Sequence, residues 1–347
     1  MLTFYVNNFL QDKIWLTPLL KYPQFFKWTK SPEHADFLVL ECPYEVIYDY
    51  SSEEYLLYGI QPSEIKLLQD SFQSLKEISA KTNKKIIIFY YRDSSSPLEI
   101  PNSIIYRTSI DKINKEKLTF SMPAFISKSD ESYLIENSDF RSKERKPIVT
   151  FRGQHASLKL PASTEIRLLA NSILNGMGFR YRVNTFIPQG YLARRNAIKS
   201  LLNSNDIEFD YLSVTWEEQK FNSQLYKGSY LESLIKSNYV VCSAGFGNYS
   251  FRFYETLAAG RIPIFINTNS ELPFENIIDW KNITVWCEYD ESRHVNSVSS
   301  KLLQFHRTIS TQGFLEHQEK LKKIYKNYLS MEGFCLNIFE TLYQLIN

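Results

Sequence analysis

Apolar residues gather in short runs separated by segments with helical spacing. TFYV (3–6), DFLVL (36–40), KKIIIFYY (84–91) and SIIYRTS (103–109) read as strands. Between the second and third, PSEIKLLQDSFQSLKEISAKT (62–82) places Ile65, Leu68, Phe72 and Leu75 on one helical face. Residues 127–146, SKSDESYLIENSDFRSKERK, are polar and read as a linker or long loop. The pattern then restarts. Strands are predicted at 147–153, 208–214, 239–242 and 262–267, with helices at 191–203, 228–237, 251–259 and 315–346. Strands alternating with helices imply parallel βαβ construction.

At 347 residues the chain exceeds the usual size of one core. The expected division is residues 1–130, residues 131–315, and helices over 316–347 that are free to pack back on the first domain. A net charge of +2 without a strongly basic block gives no reason to propose a nucleic-acid partner. No apolar run approaches the roughly 20 residues of a bilayer span. MLTFYVNNFLQDKIW, at the start, lacks the form of a signal peptide. The expectation is a cytoplasmic protein, any membrane association being peripheral. Cys42, Cys242, Cys287 and Cys335 are far apart and form no zinc pattern, which suits a reducing compartment.

The densest chemistry lies in SAGFGNYSFRFYETLAAGRIPIFI, residues 243–266. Strand, glycine-bearing turn and helix put backbone N–H groups and a helix N-terminus at the carboxyl edge of a parallel sheet, where anions bind. Gly245 and Gly247 allow a phosphate to approach. Ser250 is placed to cap the helix and Gly260 to end it. Arg252 offers a two-pronged phosphate clamp, and Glu255, three residues on, an acceptor for ribose hydroxyls. The plain alternative is a solvated ion pair between Arg252 and Glu255. The spacing is neither GxGxxG with a downstream acid nor a Walker loop.

Residues 234–280 resemble the exostosin family of glycosyltransferases. Ser237, Cys242, Gly245, Gly247, Ser250, Arg252, Glu255, Gly260, Pro263, Pro273, Phe274, Asp279 and Trp280 match its pattern in order. PIVTFRG (147–153), RRNAIKSLLNS (194–204), HADFLVLECP (34–43) and FSMPA (120–124) extend the likeness more thinly. The resemblance implies a GT-B fold, with two Rossmann-like domains facing a cleft. The C-terminal domain would hold the nucleotide sugar, commonly a UDP-sugar, and the N-terminal domain a glycan or glycolipid acceptor. Family members invert the anomeric centre. Carried over by position, Ser243 to Gly247 form the donor loop, with Ser250, Arg252 and Glu255. Arg152 and Arg195 match basic positions, and Arg167 and Arg194 are substitutes for Arg195.

An inverting displacement needs a base near the acceptor hydroxyl. Asp93 and Glu41 follow predicted N-domain strands, and Asp93, in the loop RDSSSP, is preferred. Its plain reading is an Asx-turn residue. His155 is a candidate contact to phosphate or donor sugar, or simply an exposed loop residue. Asp206, Glu208 and Asp210 alternate as a DxD-type metal pair would. They flank a strand entry, however, and no metal is expected. Trp216, Trp280 and Trp286 suit core packing better than ligand stacking. Two other functions fit: a non-catalytic nucleotide- or glycan-binding module of this fold, and a GT-B transferase of another family using a GDP- or CMP-sugar.

Overall fold

A computed structural model describes residues 1–7, 23–48, 60–167, 170, 188–215, 223–294 and 297–345. The chain forms two units. The first comprises Met1–Phe125, Glu271–Glu275 and Tyr325–Asn347, and the second Ile126–Ser270 and Asn276–Ile324.

The first unit holds β1 (Leu2–Val6), β2 (Phe26–Thr29), β3 (Phe37–Val39), β4 (Ile86–Tyr90), β5 (Ser103–Arg107) and β6 (Thr119–Ser121). They form one six-stranded sheet in the order β2-β1-β3-β4-β5-β6. Every pairing is parallel. All five residues of β4 are buried because its two faces enter different cores. Ile87 and Phe89 pack with Phe334, Cys335, Ile338 and Leu342 from helix Met331–Gln344. Ile86 and Ile88 pack with Leu68, Phe72 and Leu75 from helix Pro62–Thr82, whose bounds match the sequence expectation.

The second unit holds β7 (Ile148–Gly153), β8 (Glu208–Ser213), β9 (Tyr239–Ser243), β10 (Ile262–Asn267) and β11 (Val285–Glu288), in the order β11-β10-β9-β7-β8. These pairings are parallel too. From β7 the chain steps outward to β8 and then crosses back to β9, so the strand order reverses at β7. β7 and β9 pair only at Val149↔Tyr239 and Thr150↔Val240. Beyond these residues the two strands run on unregistered, which leaves a fork at their carboxyl ends. A reversal of this kind is where open α/β sheets bind ligands. Two parallel-sheet α/β units in one chain are the GT-B construction.

Three local expectations need correction. Residues 128–137, expected within a linker, form helix Lys128–Asn137, and the Ser127 hydroxyl accepts from the Asp130 amide at its start. Only Leu134 of that helix is buried, so the sequence carries no apolar stripe. The predicted terminal helix is two helices, Thr311–Ile324 and Met331–Gln344, separated by a π-helical turn at Tyr325–Leu329. Three short strands, β2, β6 and β11, were not expected.

Candidate functional site

The turn after β9 leads into helix Phe251–Ala258. Within it the Gly245 amide donates to the Tyr249 carbonyl at 3.2 Å. Ser243, at the strand's end, is fully buried, and Gly247 is buried as well. Helix Gln189–Leu202 lies directly on this turn. A Cβ on Gly190 would sit 2.2 Å from the Ala244 carbonyl oxygen and 2.5 Å from that of Gly245, so only glycine allows the approach. Ser250 occupies the N-cap position, yet its side chain makes no capping bond, contrary to expectation. Its hydroxyl satisfies no first-turn N–H. The other end follows expectation: Gly260 has φ 66°, and the Arg261 and Gly260 amides bond back to Thr256 and Leu257, a Schellman motif.

Arg252 does not pair with Glu255. Its Nη2 donates to the Arg152 carbonyl at 2.7 Å. Its Cζ lies 4.5 Å from the centre of the Phe151 ring and 5.6 Å from that of Tyr230. Nε and Nη1 are buried and have no partner among the described residues. Glu255 instead accepts from the Tyr230 hydroxyl, and burial raises its pKa. The Tyr226 hydroxyl donates to the same Arg152 carbonyl at 3.1 Å, and the Tyr226 ring stacks on Tyr230 at 6.2 Å.

A second guanidinium stands beside the first. Arg194 Nη1 donates to the Gln154 carbonyl at 3.0 Å, and its Nε is buried without a partner among the described residues. Its Nη2 is 3.4 Å from where a Gly245 Cβ would lie. Burial, with the Arg252 charge added, brings the Arg194 pKa down to about 10, so it stays protonated at neutral pH. Neither arginine has a carboxylate partner among the described residues. Burying two like charges with unused donors is costly, and an anion bound between them offsets the cost.

The other expected donor residues face elsewhere. Arg152 Nη2 pairs with Asp210 Oδ2 at 3.0 Å, so its carbonyl, not its guanidinium, joins the cluster. Arg195 is buried, donates to the Ser157 carbonyl at 2.9 Å and pairs with Glu165. Adjacent helical residues point about 100° apart, which turns Arg194 toward the loop and Arg195 away from it. Arg167 is exposed. His155 uses both ring nitrogens, on the Tyr211 hydroxyl and the Ala156 carbonyl, each at 2.5 Å. Burial lowers its pKa. Asp206 is exposed and 3.9 Å from Arg307. Among the described residues no three His, Cys, Asp or Glu side chains gather as metal ligands. Trp280 is core, packed on Phe253 at 5.3 Å, and Trp286 donates to Glu288 at 2.7 Å. Trp216 lies outside the described residues.

In the first unit the two carboxylates differ sharply. Glu41 is 1% exposed. Its Oε1 accepts from Ser71 at 2.7 Å, while Oε2 is buried with no partner among the described residues. Desolvation raises its pKa. Asp93 is exposed, and its carboxylate makes no contact among the described residues. The loop beneath it is firmly held. Buried Arg107 donates to the carbonyls of Ser94 and Ser96. Ser109 donates to the Asp93 carbonyl at 2.9 Å.

Sequence reasoning passed over Gln154, Gly190, Tyr191, Tyr226 and Tyr230. The available signal was Tyr226 and Tyr230 four apart on the helix that precedes β9 and its glycine-bearing turn. Aromatics at helical spacing read as core.

An Exostosin GT47 domain model matches residues 113–302, more than half of the chain. Exostosin-1a of Danio rerio is 31% identical over 103 residues, 26% of this chain and 14% of that protein. A probable glucuronosyltransferase of Oryza sativa subsp. japonica is 27% identical over 110 residues, covering 29% of this chain and 25% of the relative. The exostosin-1 homolog of Caenorhabditis elegans is 23% identical over 291 residues, 76% of this chain and 65% of the relative. The chain therefore spans only part of each of these relatives. Among solved structures, TarM overlaps with a TM-score of 0.40 at 11% identity, over 80% of this chain and 53% of TarM. WaaG, a glycosyltransferase involved in lipopolysaccharide biosynthesis, overlaps with a TM-score of 0.36 at 8% identity, over 98% and 99%.

Proposed function

The chain belongs to the exostosin GT47 family of glycosyltransferases, and from that premise we propose that it moves a sugar from a UDP-sugar to a hydroxyl of a surface glycan or glycolipid, with inversion. The observation that carries the reading is the pair of guanidiniums, Arg194 and Arg252, at the fork between β7 and β9. Arg194 Nε and Arg252 Nε and Nη1 are buried and lack partners among the described residues. A diphosphate supplies the missing acceptors and the missing charge.

In this reaction the acceptor oxygen bonds to the anomeric carbon as the bond from that carbon to the diphosphate oxygen breaks. Negative charge grows on the departing UDP, where the two arginines and the helix start at Phe251 meet it. Arginine thus takes the part a metal plays elsewhere, and the proposal includes no metal cofactor. The acceptor proton passes to a carboxylate. Asp93 is the choice, being exposed, with no side-chain partner among the described residues, on a loop held by Arg107. Glu41 is covered and bound to Ser71. The donor role falls to the second unit and the acceptor role to the first. No helix among the described residues is long and apolar enough to cross a membrane. A cytoplasmic enzyme, peripheral to a membrane where it meets a glycolipid, completes the proposal.

Thermal melting against UDP, GDP and CMP tests the donor site. A ligand at a hundredfold excess over Kd that binds only the folded state adds about 2.7 kcal/mol of stability. UDP should raise Tm more than the others do. Indifference to all three at millimolar concentration overturns the reading.

A further inference from the structure

Phe246 is 70% exposed and sits between Gly245 and Gly247 on the turn after β9. A lone exposed phenylalanine is common on protein surfaces, but this one has a built neighbourhood. Its ring centre lies 5.2 Å from that of Tyr191, with the planes at 58°. The Tyr191 hydroxyl is anchored on Gln154 Oε1 at 2.7 Å. The Arg194 guanidinium sits 5.3 Å from the Tyr191 ring centre. A cation of the phosphate cradle, an anchored tyrosine and an open phenylalanine therefore follow one another in space.

We propose that the Phe246 ring, braced by Tyr191 set at an angle to it, is the stacking platform for the nucleobase of the donor, an inference that rests on the nucleoside-diphosphate reading of Arg194 and Arg252. A base carries its hydrogen-bonding groups in the ring plane, so its face is buried on an aromatic side chain without stranding a polar atom. A sugar ring projects hydroxyls that need partners. Phe246 has none to give, and the Tyr191 hydroxyl already serves Gln154. A stacking face does not read the edge of the base. The platform therefore strengthens every nucleoside diphosphate alike, and any preference for uracil comes from other groups.

Calorimetric titration of wild type and Phe246→Ala with UDP, UDP-sugars, GDP and inorganic pyrophosphate tests this. An exposed ring can be removed without disturbing the core, so Tm should hold. Loss of base stacking should weaken UDP and GDP by a similar factor, roughly 5- to 150-fold. Pyrophosphate, which reaches only the arginines, should keep its affinity, and Phe246→Trp should restore both nucleotides. Unchanged UDP and GDP binding in Phe246→Ala overturns the platform. So does an equal loss for pyrophosphate, which marks a shifted loop, or a loss confined to UDP-sugars with UDP unaffected, which assigns the ring to the sugar. If wild type binds neither pyrophosphate nor UDP, the parent reading of the arginines fails and the platform falls with it.

Discussion

Replacing Arg252 with alanine removes one anchored and two unused groups of donors from the fork between β7 and β9. Nε and Nη1 are the groups without a partner among the described residues. Each charge-assisted hydrogen bond to a phosphate contributes about 1.5–3 kcal/mol. Two such bonds amount to about 3–6 kcal/mol, or ~10²–10⁴-fold in the Kd for UDP. The cost to folding is much smaller. The Arg152 carbonyl keeps the Tyr226 hydroxyl at 3.1 Å, and repulsion with Arg194 is relieved. Against this stands the lost stacking on Phe151, about 0.5–1 kcal/mol. Isothermal titration with UDP reads the first effect, and melting of the free protein reads the second. Arg252→Lys restores the charge without the two-pronged geometry and should recover only part of the affinity. An alanine variant that stays folded and binds UDP within a few-fold of wild type leaves Arg252 with a structural role only, holding the Arg152 carbonyl and the Phe151 ring.

Gly190→Ala drives a methyl group into the backbone at Ala244 and Gly245, at 2.2 and 2.5 Å. It should lower stability by about 1–3 kcal/mol and abolish UDP binding, whereas unchanged melting and binding would contradict the packing described. Asp93→Asn keeps the loop and its anchors but cannot take a proton. Turnover should fall by roughly 10²–10⁴-fold with UDP affinity intact, and near-normal turnover rejects Asp93 as the base. Glu41, whose pKa burial raises above the ordinary 4.5, holds its proton more tightly folded than unfolded. Its contribution to stability is full below 4.5 and is lost as pH rises through that value toward the folded pKa. Glu41→Gln cannot ionise, so its Tm relative to wild type should climb from acid to neutral pH; a constant difference means Glu41 titrates normally.

Where burial was two-sided and the ends were punctuated, the elements could be read from sequence almost to the residue. YVVCS and IPIFIN are buried at every position, and Gly260 marks the helix end between them. β2 and β11 escaped because each has only four residues: β2 buries Phe26 alone, and β11 alternates between buried and half-exposed positions. Helix Lys128–Asn137 escaped because a single buried leucine makes no stripe. At the site, Arg252 and the glycine turn were legible from the strand-turn-helix order. The choice between Arg194 and Arg195 was not, since a one-residue step rotates a helical side chain onto another face and only tertiary contacts say which face meets the loop. Glu255 was expected beside Arg252 by spacing. It bonds instead to Tyr230, a helix residue from outside the motif, and spacing within a motif carries no information about such a partner.

In the proposed reaction the second unit's sheet edge holds and activates a nucleotide sugar. Its most direct test is release of UDP from a panel of UDP-sugars, followed in EDTA without added acceptor, for wild type and Arg252→Ala. Wild type should slowly hydrolyse at least one UDP-sugar, undiminished by EDTA, and Arg252→Ala should lose this activity. Nucleotide binding without cleavage of any sugar would contradict the proposed reaction and describe a non-catalytic module. Cleavage that appears only when Mg²⁺ or Mn²⁺ is restored would contradict the role given to the two arginines.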